Sequence, residues 1–209
     1  MLARLFAHRC YWLFRADLQA GPPAGHDLAA YRFRALGAED FARSPITQEK
    51  QRAERFVRRL SEGHRSFGFV SEGPAGPEVA FYLWLSGVGQ RPARVPLGLG
   101  LSIGLTPEIA YIWDCRTTPQ HRRRGLYRGA LRQTLALAQS EGAKLAIMVA
   151  ERDNETSRGG ILTAGFREYA TVHLVRLGPA LFFRGAGGLR LLLGRAPSLH
   201  WRDAFGQLA

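Results

Sequence analysis

Thr117-Thr-Pro-Gln-His-Arg-Arg-Arg-Gly-Leu-Tyr127 decides the reading of this chain. An apolar strand over 110–117 runs into it and a helix over about 125–140 leaves it, which makes residues 122–127 a strand-to-helix turn. The first N–H groups of such a helix have no partner inside it, and the helix dipole puts partial positive charge at the same end. Arg122, Arg123 and Arg124 add full charges, and Gly125, without a Cβ, lets a ligand come close to the main chain. The turn therefore predicts an anion site suited to a phosphorylated ligand.

Downstream, the helix sets Tyr127, Leu131, Leu135 and Ala138 toward one side and stops at Gly142. Leu145–Ala150 is a continuous apolar run, as expected of a central strand covered on both faces, so strand, turn, helix and strand form one βαβ-type unit. Asn154-Glu-Thr-Ser-Arg-Gly-Gly-Ile-Leu-Thr-Ala-Gly-Phe166 follows, with Asn154 placed either to cap a helix or to meet a ligand and Ser157 one turn on. The strand 169–177 is expected to complete the sheet. Upstream, 31–36 reads as a half-exposed first strand, Glu39-Asp40 opens a short helix, and Ala53, Phe56, Val57 and Leu60 make the stripe of an amphipathic helix that starts near Thr47 and stops at Gly63. Residues 66–71 and 78–86 read as a hairpin. The Gly- and Pro-rich interval 87–108 is open between a binding loop or lid and a solvated linker, and its Gly98-x-Gly100 is not a dinucleotide loop, because Ile103 takes the third glycine's place. The aromatic segment 10–18 is expected at a sheet edge.

Two of these stretches carry a resemblance. Arg122-x-x-Gly125-x-Tyr127, preceded by Pro119, resembles the acyl-CoA-binding motif of the GCN5-related N-acetyltransferases (GNAT), usually Arg/Gln-x-x-Gly-x-Gly/Ala, with Tyr127 where a small residue is usual. Asn154, a helix, then Gly165-Phe166 is similar to the segment that follows in that family. The resemblance covers about 31–176 and is specific over 110–166. It implies an α/β (α+β) fold: a mixed, mostly antiparallel sheet flanked by helices, with two strands splayed to admit the pantetheine arm of acetyl-CoA or another acyl-CoA. The implied donor site comprises Cys115, Arg116 and Thr117, whose backbone would hold the thioester carbonyl, then Arg122, Arg123, Arg124, Gly125, Leu126 and Tyr127 at the pyrophosphate, and Asn154 at the pantetheine or adenylate portion, with Ser157 one turn on. The domain would span 31–177, between an N-terminal extension (1–30) and a basic, apolar C-terminal segment (178–209) packed on it.

Acyl transfer to an amine requires the amine deprotonated, which calls for a base facing the thioester. Alternation along the strand groups Tyr111, Trp113, Cys115 and Thr117 on one face and Ile112, Asp114 and Arg116 on the other. Asp114, the one carboxylate there, reaches the site only if a bulge shifts the register; otherwise it pairs with Arg116. His173 is a rival base, and Cys115 is read as a packing residue ahead of a nucleophile. Many relatives carry a tyrosine acid where Ile161 stands here, with Tyr127 and Tyr169 as candidate replacements. Loss of that acid keeps a second reading open, an acyl-CoA-binding sensor without turnover.

Composition bounds the remainder. The formal net charge is +12, and only Lys50 and Lys144 among the 29 basic side chains are lysine, an arginine bias spread along the chain as genomic base composition produces. The basic residues are dispersed and match no nucleic-acid-reading module, so no specific nucleic acid is expected. Cys10 and Cys115 are far apart without metal-ligand spacing, which predicts no metal and a reducing, cytoplasmic setting. No run of about 18 apolar residues occurs, and the N-terminus reads poorly as a signal peptide. The leucines and arginines of the tail leave open a peripheral contact with an anionic membrane. The acceptor, a small-molecule or peptide amine, has no legible pattern.

Overall fold

The parting of two parallel strands organises the molecule. In the computed structural model, which describes residues 6–19, 28–42, 50–73, 76–89 and 94–206, β7 (Ile109–Thr117) and β8 (Leu145–Glu151) pair in parallel only over Ile109–Tyr111 with Leu145–Ile147. Beyond Tyr111 they diverge, which is the expected splay. Between them in sequence runs α3 (Leu126–Ser140), the crossover that parallel strands require.

All other neighbours in the main sheet are antiparallel. β1 (Phe6–Asp17) pairs on both sides; β2 (Arg32–Leu36), β3 (Arg65–Gly73) and β4 (Gly76–Ser86) lead to β7; and β9 (Arg167–Leu177), β10 (Ala180–Gly185) and β11 (Gly188–Leu193) extend the other wing. The order is β11-β10-β9-β1-β8-β7-β4-β3-β2. Two expectations are corrected. Residues 10–18 lie inside the sheet, between β8 and β9, and not at its edge, because Leu13 and Phe14 are both fully buried, one on each face. β9 does not complete the sheet, since the chain turns back and adds β10 and β11 outside it.

One face is covered by α1 (Ala38–Ala42), α2 (Lys50–Ser61), α5 (Trp201–Phe205) and a small second sheet of β5 (Arg94–Gly98), β6 (Leu101–Gly104) and β12 (Ser198–His200). The described residues 94–104 of the interval 87–108 thus form neither lid nor linker. Val95, Leu97, Leu101 and Ile103 are buried against Tyr11, Leu13 and Leu174, an alternating apolar pattern that closes a hairpin across Gly98–Gly100. The other face carries α3 and α4 (Glu155–Thr163), which bury Leu126, Leu131, Leu135 and Ile161 over β4, β7 and β8. β8 feeds both cores, Leu145 and Ile147 to one and Ala146, Met148 and Ala150 to the other, as its unbroken apolar run predicts. α2 ends at Ser61 ahead of Gly63, which has φ 87, while the expected start at Thr47 lies outside the described residues. No helix among the described residues is long and apolar enough to cross a membrane.

Candidate functional site

The turn between β7 and α3 is built from the strand end inward. Thr118 N–H and Oγ both donate to Ala80 O at 3.0 Å, fixing the end of β7 to β4. Pro119–His121 then forms a 3-10 turn, and Arg123 and Gly125 take left-handed backbone with φ 63 and 76. For Gly125 this costs nothing; for Arg123 it is a conformation that side chains disfavour and that clusters at functional sites. The first ladder bond of α3 runs from Gly129 N–H to Gly125 O at 3.0 Å, which leaves the N–H groups of Leu126, Tyr127 and Arg128 ahead of it. Arg124 donates to Tyr31 Oη at 2.9 Å, and that hydroxyl also meets His121 Nδ1 at 3.0 Å, so Tyr31 and His121 brace the turn from below. Arg122 and Arg123 are exposed and have no acidic partner among the described residues.

An open cleft of about 860 Å³ lies against this turn. Its walls bring together all eleven residues expected at a donor site: Cys115, Arg116 and Thr117 from β7, Arg122 to Tyr127 from the turn and α3, and Asn154 and Ser157 from the start of α4. His121, Arg128, Thr156, Gly160 and Thr163 also line it, and sequence reasoning missed them. Gly160 shows why. Tyr127 lies across from α3 to α4 with its ring 5.9 Å from that of Phe81, and a Cβ on Gly160 would stand 2.6 Å from Tyr127 Cε1 and closer still to Cδ1. The large residue in the α3 motif therefore needs a glycine 33 positions on, a complementarity that no local pattern displays.

Asn154 Oδ1 accepts Ser157 N–H at 3.0 Å, the N-cap role, with the side chain at the cleft wall. Tyr127 Oη and Ser157 Oγ are 3.0 Å apart. Burial raises the Tyr127 phenol well above its usual range, the nearby Cys115 thiol adds to this, and the Ser157 hydrogen bond offsets it in part. The cleft thus contains a phenol that holds its proton throughout the neutral range.

On β7 the alternation breaks. Tyr82 faces Arg116 and Trp84 faces Trp113, so Asp114 and Cys115 together oppose Leu83 in a β-bulge, and Asp114 has φ 44. The bulge corrects two expectations. Cys115 leaves the face of Tyr111 and Trp113 and packs in the α3 and α4 core, where burial, then the Asp114 charge, push its thiol well above the ordinary range; a thiolate nucleophile is disfavoured. Asp114 projects toward α2, and its carboxylate pairs with Arg59 instead of Arg116. The Arg59 guanidinium lies 4.4 Å over the Trp113 ring and 5.2 Å over Trp84, so the ion pair stands on an aromatic floor. Beneath it, Trp113 Nε1–H donates to Ser86 Oγ at 3.0 Å, and Ser86 Oγ lies 2.8 Å from His64 Nδ1. A small pocket of about 60 Å³ opens here between Arg55, Phe56, Arg59, Tyr82, Asp114 and Arg116. β7 therefore separates two concavities, and Arg116 borders both.

His173 and Tyr169 do not join this site. Both lie on β9, which β1 and β8 separate from β7; His173 stacks beside His8 and lies 3.9 Å from Cys10 Sγ, and Tyr169 packs on the opposite face under Arg15. Ile161 is fully buried between α4 and the sheet, so its position presents no polar group to the cleft.

No protein-family model matches the chain, and no curated protein matches it by sequence. Solved structures match its fold. A GNAT-family protein from Novosphingobium aromaticivorans superposes with a TM-score of 0.53 at 17% identity over 81% of this chain and 64% of its own. A tandem GNAT protein from the clavulanic acid biosynthesis pathway gives 0.51 at 19% identity, over 82% of this chain and 54% of its own. For a GCN5-related N-acetyltransferase from Sphaerobacter thermophilus the values are 0.52 and 12%, over 96% and 56%. The chain thus spans 54–64% of the length of these proteins, and the likeness is one of architecture. With β7 and β8 parting above an arginine-rich turn at the start of α3, this chain has the fold of the GCN5-related N-acetyltransferases.

Proposed function

We propose that the protein moves an acyl group from acetyl-CoA or a longer acyl-CoA to an amine. The observation that carries this reading is the single cleft in which the free N–H end of α3, Arg122 and Arg123 meet the unpaired edge of β7. The donor set fits a coenzyme A pyrophosphate: main-chain N–H groups at Leu126 and Tyr127 hold its oxygens, and Arg122 and Arg123, which have no acidic partner among the described residues, neutralise its charge. Past Tyr111, β7 has no described strand partner on the β8 side, so its N–H groups there are free to bind the thioester carbonyl and the oxyanion that develops on it. The amine attacks from the α2 side, where Asp114 accepts its proton directly or through water while Arg59 holds the carboxylate in place. Tyr127, protonated beside Ser157, gives the departing thiolate a hydrogen bond in place of the missing tyrosine at Ile161, and the thiolate, a weak base with a pKa of about 8.5, takes its proton from solvent.

One observation favours a second reading. The carboxylate of Asp114 is already engaged by Arg59, and Tyr127 fills the space between α3 and α4, as in a receptor that binds acyl-CoA without turnover. Unfolding with and without acyl-CoA tests the shared part: ligand at 100 times its dissociation constant adds about 2.7 kcal/mol, and no shift with any chain length removes both readings. Amine-dependent thiol release separates them. In an active enzyme, Asp114→Asn lowers the rate at pH 7–8 by at least tenfold with donor affinity unchanged, and an unaltered rate takes Asp114 out of the mechanism.

A further inference from the structure

Six large apolar side chains are exposed among the described residues, and five of them, Phe6, Leu177, Leu189, Leu191 and Leu193, share one surface. The strand register shows this. Leu193, Ala180, Leu177 and Phe6 lie side by side across β11, β10, β9 and β1. Two residues along each strand, the next row is Leu191, Phe182, Val175 and His8, and the third is Leu189, Arg184, His173 and Cys10. The interleaved residues point the other way, and Leu174, Leu181 and Phe183 among them are fully buried. The bare rows lie on the face that α3 and α4 cover farther in; α4 reaches only to Trp12, over whose ring Arg158 sits at 5.2 Å. No described residue covers the rest.

The patch measures about 20 Å by 20 Å, or about 400 Å², from strand spacing and rise. A stable pairing of two proteins buries about 800 Å² on each side, so this surface is half of what a second copy needs. Its charge points the same way. The titratable groups on the three rows are His8, Cys10, His173 and Arg184, and none is a carboxylate. A second copy docked on the same patch would bring Arg184 and the histidines against their own equivalents. Glu151 and Asp153 border the patch beside Arg9 and Arg152, and Glu151 is within 3.8 Å of Arg9. The exposed set, four leucines and a phenylalanine, also differs from the tryptophan, tyrosine and arginine anchors that dominate protein interfaces. Aliphatic side chains with a snorkelling arginine are instead suited to the boundary between headgroups and acyl chains.

We propose that this face of the outer sheet wing, β1 with β9, β10 and β11, rests on an anionic lipid surface. The leucines and Phe6 enter the interface, and Arg184 extends to the headgroup phosphates. The inference is independent of acyl-CoA use, because none of these residues lines the cleft at α3.

The test is sedimentation of the full chain with sucrose-loaded vesicles of phosphatidylcholine alone or with 30% phosphatidylserine, at physiological ionic strength. The expected result is partitioning onto the phosphatidylserine vesicles at least tenfold stronger than onto neutral ones. Leu191→Ser with Leu193→Ser lowers it at least tenfold, and Arg184→Gln lowers it severalfold. A matching unfolding midpoint establishes that each variant is folded, and Leu189→Ser serves if the double variant is not. Three results overturn the proposal. One is an absence of vesicle binding. Another is equal binding by the leucine variants, which leaves only the attraction of a +12 protein for anionic lipid. The third is a dimer by light scattering that Leu191→Ser returns to monomer, which assigns the face to a second copy.

Discussion

The two wings of the α3 and α4 face differ in what covers them. Over β4, β7 and β8 the face lies under two helices, and its strands part; over the outer part of β9 and over β10 and β11 the strands stay paired and no described residue covers the face. Parting strands releases main-chain N–H groups, which bind anions when a helix starts beside them. Paired strands have no such groups to offer and present only side chains. The same sheet thus makes a polar cleft where its ladder fails and an apolar surface where its ladder holds.

Breaking the polar wing gives the largest expected effect. Gly125→Glu puts a side chain on left-handed backbone and a negative charge at the start of α3, so acyl-CoA affinity falls by at least a hundredfold by calorimetry. Unchanged affinity would falsify the placement of the pyrophosphate. Within the apolar wing, neighbouring strands sharpen the contrast between faces. Phe183→Ala, fully buried, costs about 3–5 kcal/mol in denaturant unfolding, whereas Leu191→Ser, 57% exposed, stays within about 0.5 kcal/mol. Equal costs would mean that the outer face is covered in solution.

Smaller effects probe how tightly the covered wing is fitted. Gly160→Ala drives a methyl group into the Tyr127 ring and destabilises by about 1–3 kcal/mol, and adding Tyr127→Ala relieves the clash, so the two changes are non-additive in a double-mutant cycle. The smallest concerns the floor under the Asp114 bulge. Burial holds the His64 pKa below its ordinary 6.5, with Glu62 opposing and Arg59 reinforcing this. The native state therefore binds fewer protons than the unfolded chain, and stability is lost as pH falls through about 6.5. His64→Gln should flatten the unfolding free energy between pH 7 and 5; an unaltered pH profile would assign the loss to other groups.

The sequence alone determined what depends on neighbours along the chain. The apolar run 145–150, the stripe of α2 apart from Val57, which is exposed, the hairpin of β3 and β4 and the turn 122–127 follow from periodicity, glycine placement and helix-end electrostatics, all of which act over a few residues. Only the tertiary structure decided the partners. The bulge that turns Asp114 to Arg59 and Cys115 to Tyr127 arises from the register of β7 against β4, 30 residues away, and a one-residue slip exchanges the faces of everything after it. The central place of β1 rests on pairing with residues 128 or more positions downstream, and alternation in a 12-residue strand is the same at an edge as in the middle. The glycine that admits Tyr127 and the rows of leucines on the outer wing are likewise set by packing and register across strands, which the order of residues in any one segment does not encode.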